Sequence, residues 1–438
     1  MTCCSSAAVL IRRSAVGGVE DRKQKETMNN MNRRTFLNAS IIGSLGALTA
    51  NGFVSGQQTP PPKIQGFDQT VTDVDKTQVW EPVSDRKIRV GIAGFGTCQF
   101  GAQFGFQNHP NVEVVAVTDL IPERRDGLAK ACRCEKTYDS LEEMVKDDNI
   151  EAVFVATDAP HHVDHVVAAM KAGKHACSAV PAFWGGTPEQ ADLLYETVKS
   201  TGLKYGMFET SAYHDDVYAA RKIYAAGGFG EIVYMEGEYL HYAPKSADSY
   251  KNWRVGMPVM WYPTHASAYY TCVTFDSLTE VCCMGKPSIN FYRQPENNAY
   301  GNCFGTEVGL FRTSTGGMAR IMVSFDTPGW GGEVGRMRGQ LASYAEESKF
   351  CGAVDESLEK VKGLNIRKPA LPPSVDSGGH GGSHGYLMNN FVESILKDET
   401  PLVNVACALN TTMCGVVAHQ SALKDGELMK IPQYKMWD

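Results

Sequence analysis

The spacing of apolar positions along this chain changes after residue 85 and again after residue 230, and each stretch between those points predicts its own architecture. Lys87 to Ala93 is a short run rich in β-branched residues that ends in Gly94-Phe95-Gly96, and Thr97 to Asn108 then has the make-up of a helix. Val112 to Val117 repeats the strand pattern and leads to Asp119. Further strand and helix pairs follow in Glu151 to Thr157 with His161 to Ala172, and in His175 to Val180 with Pro188 to Ser200. A repeated unit of this kind predicts an α/β domain over residues 86–210, built on a parallel, doubly wound sheet.

Beyond it the runs lengthen and read as strands: Ile232 to Leu240, Thr279 to Met284, Glu307 to Thr313 and Met318 to Phe325. They predict a C-terminal α+β domain over residues 211–438, with a large, mostly antiparallel open sheet covered on one face by the preceding half. The free face and edge of such a sheet predict a homodimer or homotetramer.

Ahead of both domains stand Asn32-Arg33-Arg34-Thr35-Phe36-Leu37 and an uncharged stretch, Asn38 to Ala50, rich in Ala, Gly, Ser and Leu. This is the pattern of a twin-arginine export signal; the plainer reading is a tail with a chance Arg-Arg pair. The apolar run is about a dozen residues where a spanning helix takes about 20, so no membrane span is expected after processing. Residues 1–56 are therefore expected to be an N-terminal extension and signal peptide, with Met28 or Met31 as the true start. Residues 57–85, which include Gln57-Gln58-Thr59-Pro60-Pro61-Pro62, are expected to be a linker. The expected location is periplasmic or otherwise extracytoplasmic.

The turn at Gly94 and Gly96 suits phosphate binding. The first glycine permits a tight turn, and the second lets backbone approach a pyrophosphate at the positive end of the following helix. The third glycine of that fingerprint is missing, since Gln99 stands there and Gly101 comes two residues later. Asp119 lies where a carboxylate accepts hydrogen bonds from adenosine ribose hydroxyls and repels a 2′-phosphate, which favours NAD; its plainer reading is a helix cap before Pro122. Arg124 and Arg125 just behind it leave room for NADP. The loop Thr157-Asp158-Ala159-Pro160 follows the carboxyl end of a strand, where ligands bind in such sheets.

Composition narrows the field. Hydrophobic residues make up 43% and charged residues 21% of 438, so a sizeable core can form. A net charge of -7 supplies no broad basic surface, which argues against nucleic acid as a partner. The 13 cysteines are scattered; Cys132 and Cys134, or the adjacent Cys282 and Cys283, lack the usual zinc spacing, and no metal is expected.

The stretch from Lys87 to Leu240 resembles the Gfo/Idh/MocA oxidoreductases in Val155-Ala156-Thr157, in Ala172-Gly173-Lys174-His175 and in Gly227 to Val233. The resemblance implies a Rossmann domain followed by a sheet domain that holds the substrate, here a small-molecule carbohydrate. In that family the strand after Gly-Lys-His usually ends in Glu-Lys-Pro, whose lysine touches the nicotinamide; here Ala179-Val180-Pro181 keeps only the proline. The usual Asp-x-Gly-x-His-x-x-Asp stretch appears as Trp261 to Ala268 and keeps only His265. Tyr262-Pro263-Thr264-His265 looks like the branch of NAD-dependent glycoside hydrolases, as do Phe208-Glu209-Thr210 with Tyr213, Trp253-Arg254, and Gly378 to Gly382. That branch normally has glutamate where Ala179 stands.

By that resemblance Gly94, Gly96, Thr97, Asp119, Thr157, Asp158, His162, Val180 and Pro181 are expected at the cofactor, with His161 and His165 on the surface. Glu209, Trp253, Arg254, Tyr262 and His380 are expected at the substrate. His265 and Tyr213 are the candidate catalytic residues, because loss of hydride from a carbinol carbon needs a group that takes the hydroxyl proton. Histidine titrates near neutrality, whereas tyrosine needs a neighbouring cation to become a base. Their plainer readings are a buried, hydrogen-bonded imidazole and a core ring, and the glycine-rich run around His380 and His384 reads equally as a linker. The expected activity is NAD(P)-dependent oxidation or reduction of a sugar. Redox-neutral glycoside cleavage and a silent, sugar-binding relative are the alternatives.

Overall fold

In the computed structural model, residues 73–96, 98–329, 332–345 and 349–437 are described; the export signal, most of the linker and Thr97 lie outside them. Six parallel strands form the first sheet: β1 (Ile88–Ala93), β2 (Val112–Thr118), β3 (Thr137–Tyr138), β4 (Ala152–Val155), β5 (His175–Ser178) and β6 (Tyr205–Met207). Their spatial order is β3-β2-β1-β4-β5-β6, so the direction of winding reverses between β1 and β4. That reversal opens a crevice beyond the carboxyl ends of the strands, where such sheets bind ligands. β1 is buried along nearly its whole length, as the unbroken apolar run demands of a strand covered on both faces.

The second sheet contains β7 (Ile232–Leu240), β8 (Leu278–Pro287), β9 (Phe304–Thr313), β10 (Met318–Ser324), β11 (Gly332–Gly339), β12 (Ser343–Ala345), β13 (Lys349–Cys351) and β14 (Met429–Lys430). Its order is β13-β12-β11-β7-β10-β9-β8-β14. Only the β10 and β7 pair runs parallel. The helices Thr264–Thr274 and Val405–Ala422 pack on it, a more specific cover than the first half as a whole. The first can lie directly on β7 because Gly237 has no side chain: a Cβ there would stand 2.1 Å from the carbonyl oxygen of Ala266.

The end of the chain returns to the first sheet, where the Met207 amide donates to the Val403 carbonyl at 3.0 Å. Both sheets belong to one compact unit. The helix expected over Thr97 to Asn108 is a single turn, Phe100–Gln103, and a separate 3-10 turn, Phe106–Asn108. Gly105 at φ 79° breaks it. His384, taken above as part of a glycine-rich loop, opens the helix His384–Leu396.

Candidate active site

Two clefts meet at the crevice. The first, with about 1070 Å³ of space partly open to solvent, is lined at its base by Gly94, Gly96, Asp119, Thr157 and Asp158. Gly94 sits at φ 96°, and a Cβ on it would lie 2.4 Å from the carbonyl oxygen of Ala156, so only glycine lets β1 turn against the end of β4. A Cβ on Gly96 would meet no protein atom within 4 Å, which leaves the space a pyrophosphate needs beside the turn. Gly101 takes over the packing role of the missing third glycine: a Cβ there would come within 2.3 Å of the Gly94 carbonyl. The dinucleotide therefore fits this cleft by shape.

Asp119 does more than line it. The Phe95 amide donates to its Oδ2 at 2.9 Å, the Gly96 amide approaches the same oxygen at 3.5 Å, and the Ile121 amide donates to Oδ1 at 2.9 Å. The carboxylate thus fastens the glycine turn to the start of the next helix. Arg124 lines the cleft too. Thr157 Oγ1 lies 2.8 Å from His165 Nδ1, and Asp158 is paired with His161 at 2.7 Å.

Three expectations at this cleft need correction. His162 is buried behind the lining, wedged between the two cofactor loops, with Nδ1 2.8 Å from the Pro181 carbonyl and Nε2 3.2 Å from the Thr157 carbonyl. Burial holds its pKa below the ordinary value, and a neutral ring has one N–H to give. Pro181 is likewise a loop anchor, not a lining residue. His165, expected on the surface, lines the cleft instead.

The second cleft is continuous with the first through Cys98, Phe100 and Arg254, which line both. It contains about 530 Å³ of space and brings together Ala179, Val180, Tyr239, His241, Tyr262, His265 and His380. The Tyr262 hydroxyl donates to the Val180 carbonyl at 2.8 Å, which fixes the ring against the loop carrying the cis Val180-Pro181 bond. Arg254 lies over the Trp253 ring at 4.1 Å and 5.9 Å from the Tyr262 ring centre. His380 Nδ1 is 2.9 Å from His384 Nε2, so the pair shares one proton between them, and burial holds both below the usual imidazole range.

His265 is the second residue of its helix, and its Nδ1–H donates to Glu209 Oε1 at 2.8 Å. Glu333 Oε1 lies 3.4 Å from the same nitrogen. Burial alone lowers the imidazole pKa, but Glu209 and Glu333 outweigh it and raise the group to about 9. The expectation of a ring titrating near neutrality is therefore wrong: two carboxylates in a low-dielectric site stabilise the imidazolium. Glu209 is fully buried and is not a substrate contact; its Oε1 also accepts from the Ser211 amide at 2.9 Å. Glu333 accepts from the Ser211 hydroxyl and faces His214 Nε2 at 3.1 Å. Ligand atoms of Glu209, His265 and Glu333 lie within 4.8 Å of one another, close enough to hold a metal ion.

Tyr213 is not in the crevice. Its ring stacks on Tyr386 at 5.6 Å and on Tyr218 at 6.4 Å, lining a separate groove with Trp80. Burial pushes its phenol up to about 12 even with Arg221 5.4 Å from the ring, so it is no general base at neutral pH. Glu333 was not foreseen from the sequence, whereas His241, read there with Tyr242 as an aromatic that could stack on a sugar or fill an interface, lines the second cleft. Glu333 is a lone residue whose place depends on how β7 and β11 pair.

Comparison with known proteins agrees with this geometry. Residues 88–208 match the sequence model of the Gfo/Idh/MocA oxidoreductase family, NAD-binding Rossmann fold. Glycosyl hydrolase family 109 protein 1 of Bacteroides thetaiotaomicron is 29% identical over 205 residues, 44% of this chain and 43% of that protein. A glycosyl hydrolase family 109 protein of Shewanella amazonensis is 28% identical over 331 residues, 68% of this chain and 70% of the other. The chain thus spans less than half the length of the first of these relatives. Among solved structures, levoglucosan dehydrogenase in complex with NADH and L-sorbose is similar with a TM-score of 0.65 at 17% identity, over 80% of this chain and 100% of that one. Scyllo-inositol dehydrogenase from Lactobacillus casei gives 0.59 at 16% identity, over 80% and 99%. The described chain has the fold of these solved structures, a Rossmann-type sheet joined to a mostly antiparallel one.

Proposed function

We propose that this chain is an NAD-dependent oxidoreductase that acts on a carbinol carbon of a sugar or sugar derivative. One observation carries the reading: the glycine-turn cleft runs without interruption into a pocket walled by His265, with Cys98, Phe100 and Arg254 common to both. Gly94, Gly96, Asp119, Thr157, Asp158 and Val180 would hold the dinucleotide, which when bound supplies the acceptor or donor of hydride. His265 exchanges the hydroxyl proton. Glu209 holds Nδ1, so Nε2 is the atom that meets the substrate, and the flanking carboxylates stabilise the imidazolium formed when it accepts a proton. With a pKa of about 9, only about one part in a hundred of the ring is neutral at pH 7, so sugar oxidation quickens as pH rises.

Redox-neutral glycoside cleavage is the second reading, favoured by Tyr262 to His265 and by the names of the relatives. Ala179 weighs against it, because it lines the pocket at a position that offers no proton carrier. Incubating purified protein with NAD, free sugars and nitrophenyl glycosides separates the readings. Sustained NADH supports oxidation, aglycone release without net NADH supports cleavage, and neither product leaves a silent sugar-binding relative.

Export through the twin-arginine route and self-association belong to the same reading. Met284, Leu310 and Met318 are exposed on one face of the second sheet, an apolar surface that suits a second copy of the chain. Light scattering on the processed protein tests the dimer or tetramer, and N-terminal sequencing of material from the periplasm tests the signal.

A further inference from the structure

The His265 pocket is lined by hydroxyls, imidazoles and one guanidinium. Among the described residues, no Asp, Glu, Asn or Gln lines it. The hydroxyls of a neutral sugar are donors as well as acceptors, and a site for such a sugar ordinarily supplies carboxylate or amide oxygens to receive them. Here the two nearest carboxylates, Glu209 and Glu333, are buried behind the imidazole and already engaged by His265, Ser211 and His214.

Arg254 stands at the mouth of this pocket. It is half-buried and makes no ion pair with any described carboxylate. Its guanidinium rests on Trp253 at 4.1 Å and lies 5.9 Å from the Tyr262 ring centre, so the side chain is held in place before any ligand arrives. A partly desolvated guanidinium without a counter-ion is unfavourable, and its planar fork matches an oxyanion with two parallel hydrogen bonds. His241 and His380 add further ring nitrogens to the same wall.

Building on the proposed oxidoreductase function, we infer that the sugar bound here carries an oxyanion substituent, a carboxylate as in a uronic acid or a sulfate ester, which docks on Arg254. The aromatic walls, Tyr239 and Tyr262, then face the ring, and the carbinol presents itself to His265. The competing role for Arg254 is a contact to the dinucleotide, because it lines that cleft as well.

Calorimetric titration of the NADH-loaded protein with glucose, glucuronate and a glucose sulfate decides the matter without requiring turnover. One or both anionic sugars should bind at least about tenfold more tightly than glucose, as a charge-assisted hydrogen bond implies, and which of them does identifies the oxyanion. The preference should shrink as salt is raised. R254M should abolish it, R254K should keep part of it, and NADH affinity should change less than about twofold in either. Equal binding of all three sugars, or of none, overturns the inference; so does an R254M variant that loses NADH affinity while its sugar preference persists. Selective binding of an anionic sugar that is never oxidised would leave the substrate class standing and remove the redox reading. Oxidation of neutral sugars with no anionic preference would do the reverse.

Discussion

Glu209 Oε1 accepts a 2.8 Å hydrogen bond from Nδ1 of His265, and the carboxylate is wholly buried. With Glu333 at 3.4 Å from the same nitrogen, this raises the imidazole to about 9 in spite of its burial. Oxidation of the sugar should therefore accelerate with pH up to about 9 and level off above it. E209Q should move that inflection down by at least about one unit, since an amide keeps the geometry and removes the charge. A pH profile unchanged by E209Q would separate His265 from the rate.

The same shift has a consequence for stability. The folded pKa of His265 lies above the unfolded value of about 6.5, so the stabilisation it brings is complete below that pH and is lost as pH rises through about 9. Melting temperatures of the wild type should fall between pH 7 and pH 10, and E209Q should flatten that fall. A wild-type curve level across this window would contradict the pair.

His265→Ala should lower turnover by at least about tenfold, within the range of a positioned acid or base, while NAD titrations stay close to wild type. The imidazole lines the second cleft and not the first, so a joint loss of cofactor affinity would point to a collapsed crevice. Tyr213→Phe should leave activity within about twofold, because that ring stacks on Tyr386 in a separate groove and its phenol is pushed up to about 12. A large loss in Tyr213→Phe would return the phenol to the reaction.

How far the sequence could be read follows from which contacts are local. β1, the glycine turn and Asp119 are neighbours across one βα unit, and the period of the apolar residues with their spacing was enough to place them. His265 was legible from its motif, but its pKa was not, because Glu333 comes from β11 and reaches it only once that strand pairs with β7. Tyr213 failed for a related reason. Its backbone carbonyl accepts from Lys368 Nζ at 2.7 Å, and its ring is claimed by Tyr386 in the helix that follows the His380 loop, so distant chain turns it from the crevice.

Asp119→Ala should weaken NAD by roughly 1.5–3 kcal/mol if a charged hydrogen bond to the ligand is lost. The loss can be larger than the ligand contact alone accounts for, since Phe95 and Ile121 amides also depend on this carboxylate. Asp119→Asn distinguishes the two contributions: the amide oxygen can still receive a turn amide, so it should restore part of the melting temperature while NAD affinity stays low. Equal NAD affinity in wild type and Asp119→Ala would remove the residue from the site.

Gly94 and Gly96 separate the fold from the ligand within one turn. Alanine at Gly94 would place its Cβ 2.4 Å from the Ala156 carbonyl oxygen, a backbone atom that cannot give way, in a conformation already unfavourable at φ 96°. The expected result is a destabilised protein, by about 1–3 kcal/mol or more, with a clear drop in melting temperature. Alanine at Gly96 meets no protein atom within 4 Å and adopts φ 60°, which costs only about 1 kcal/mol. Its methyl group instead occupies the space beside the turn, so Gly96→Ala should melt close to wild type yet bind NAD at least about tenfold more weakly, because the backbone can no longer approach the pyrophosphate. Differential scanning calorimetry with and without NAD measures both effects in one experiment. Should Gly96→Ala keep the full stabilisation by NAD, the dinucleotide does not cross this turn, and the redox reading of the crevice falls with it.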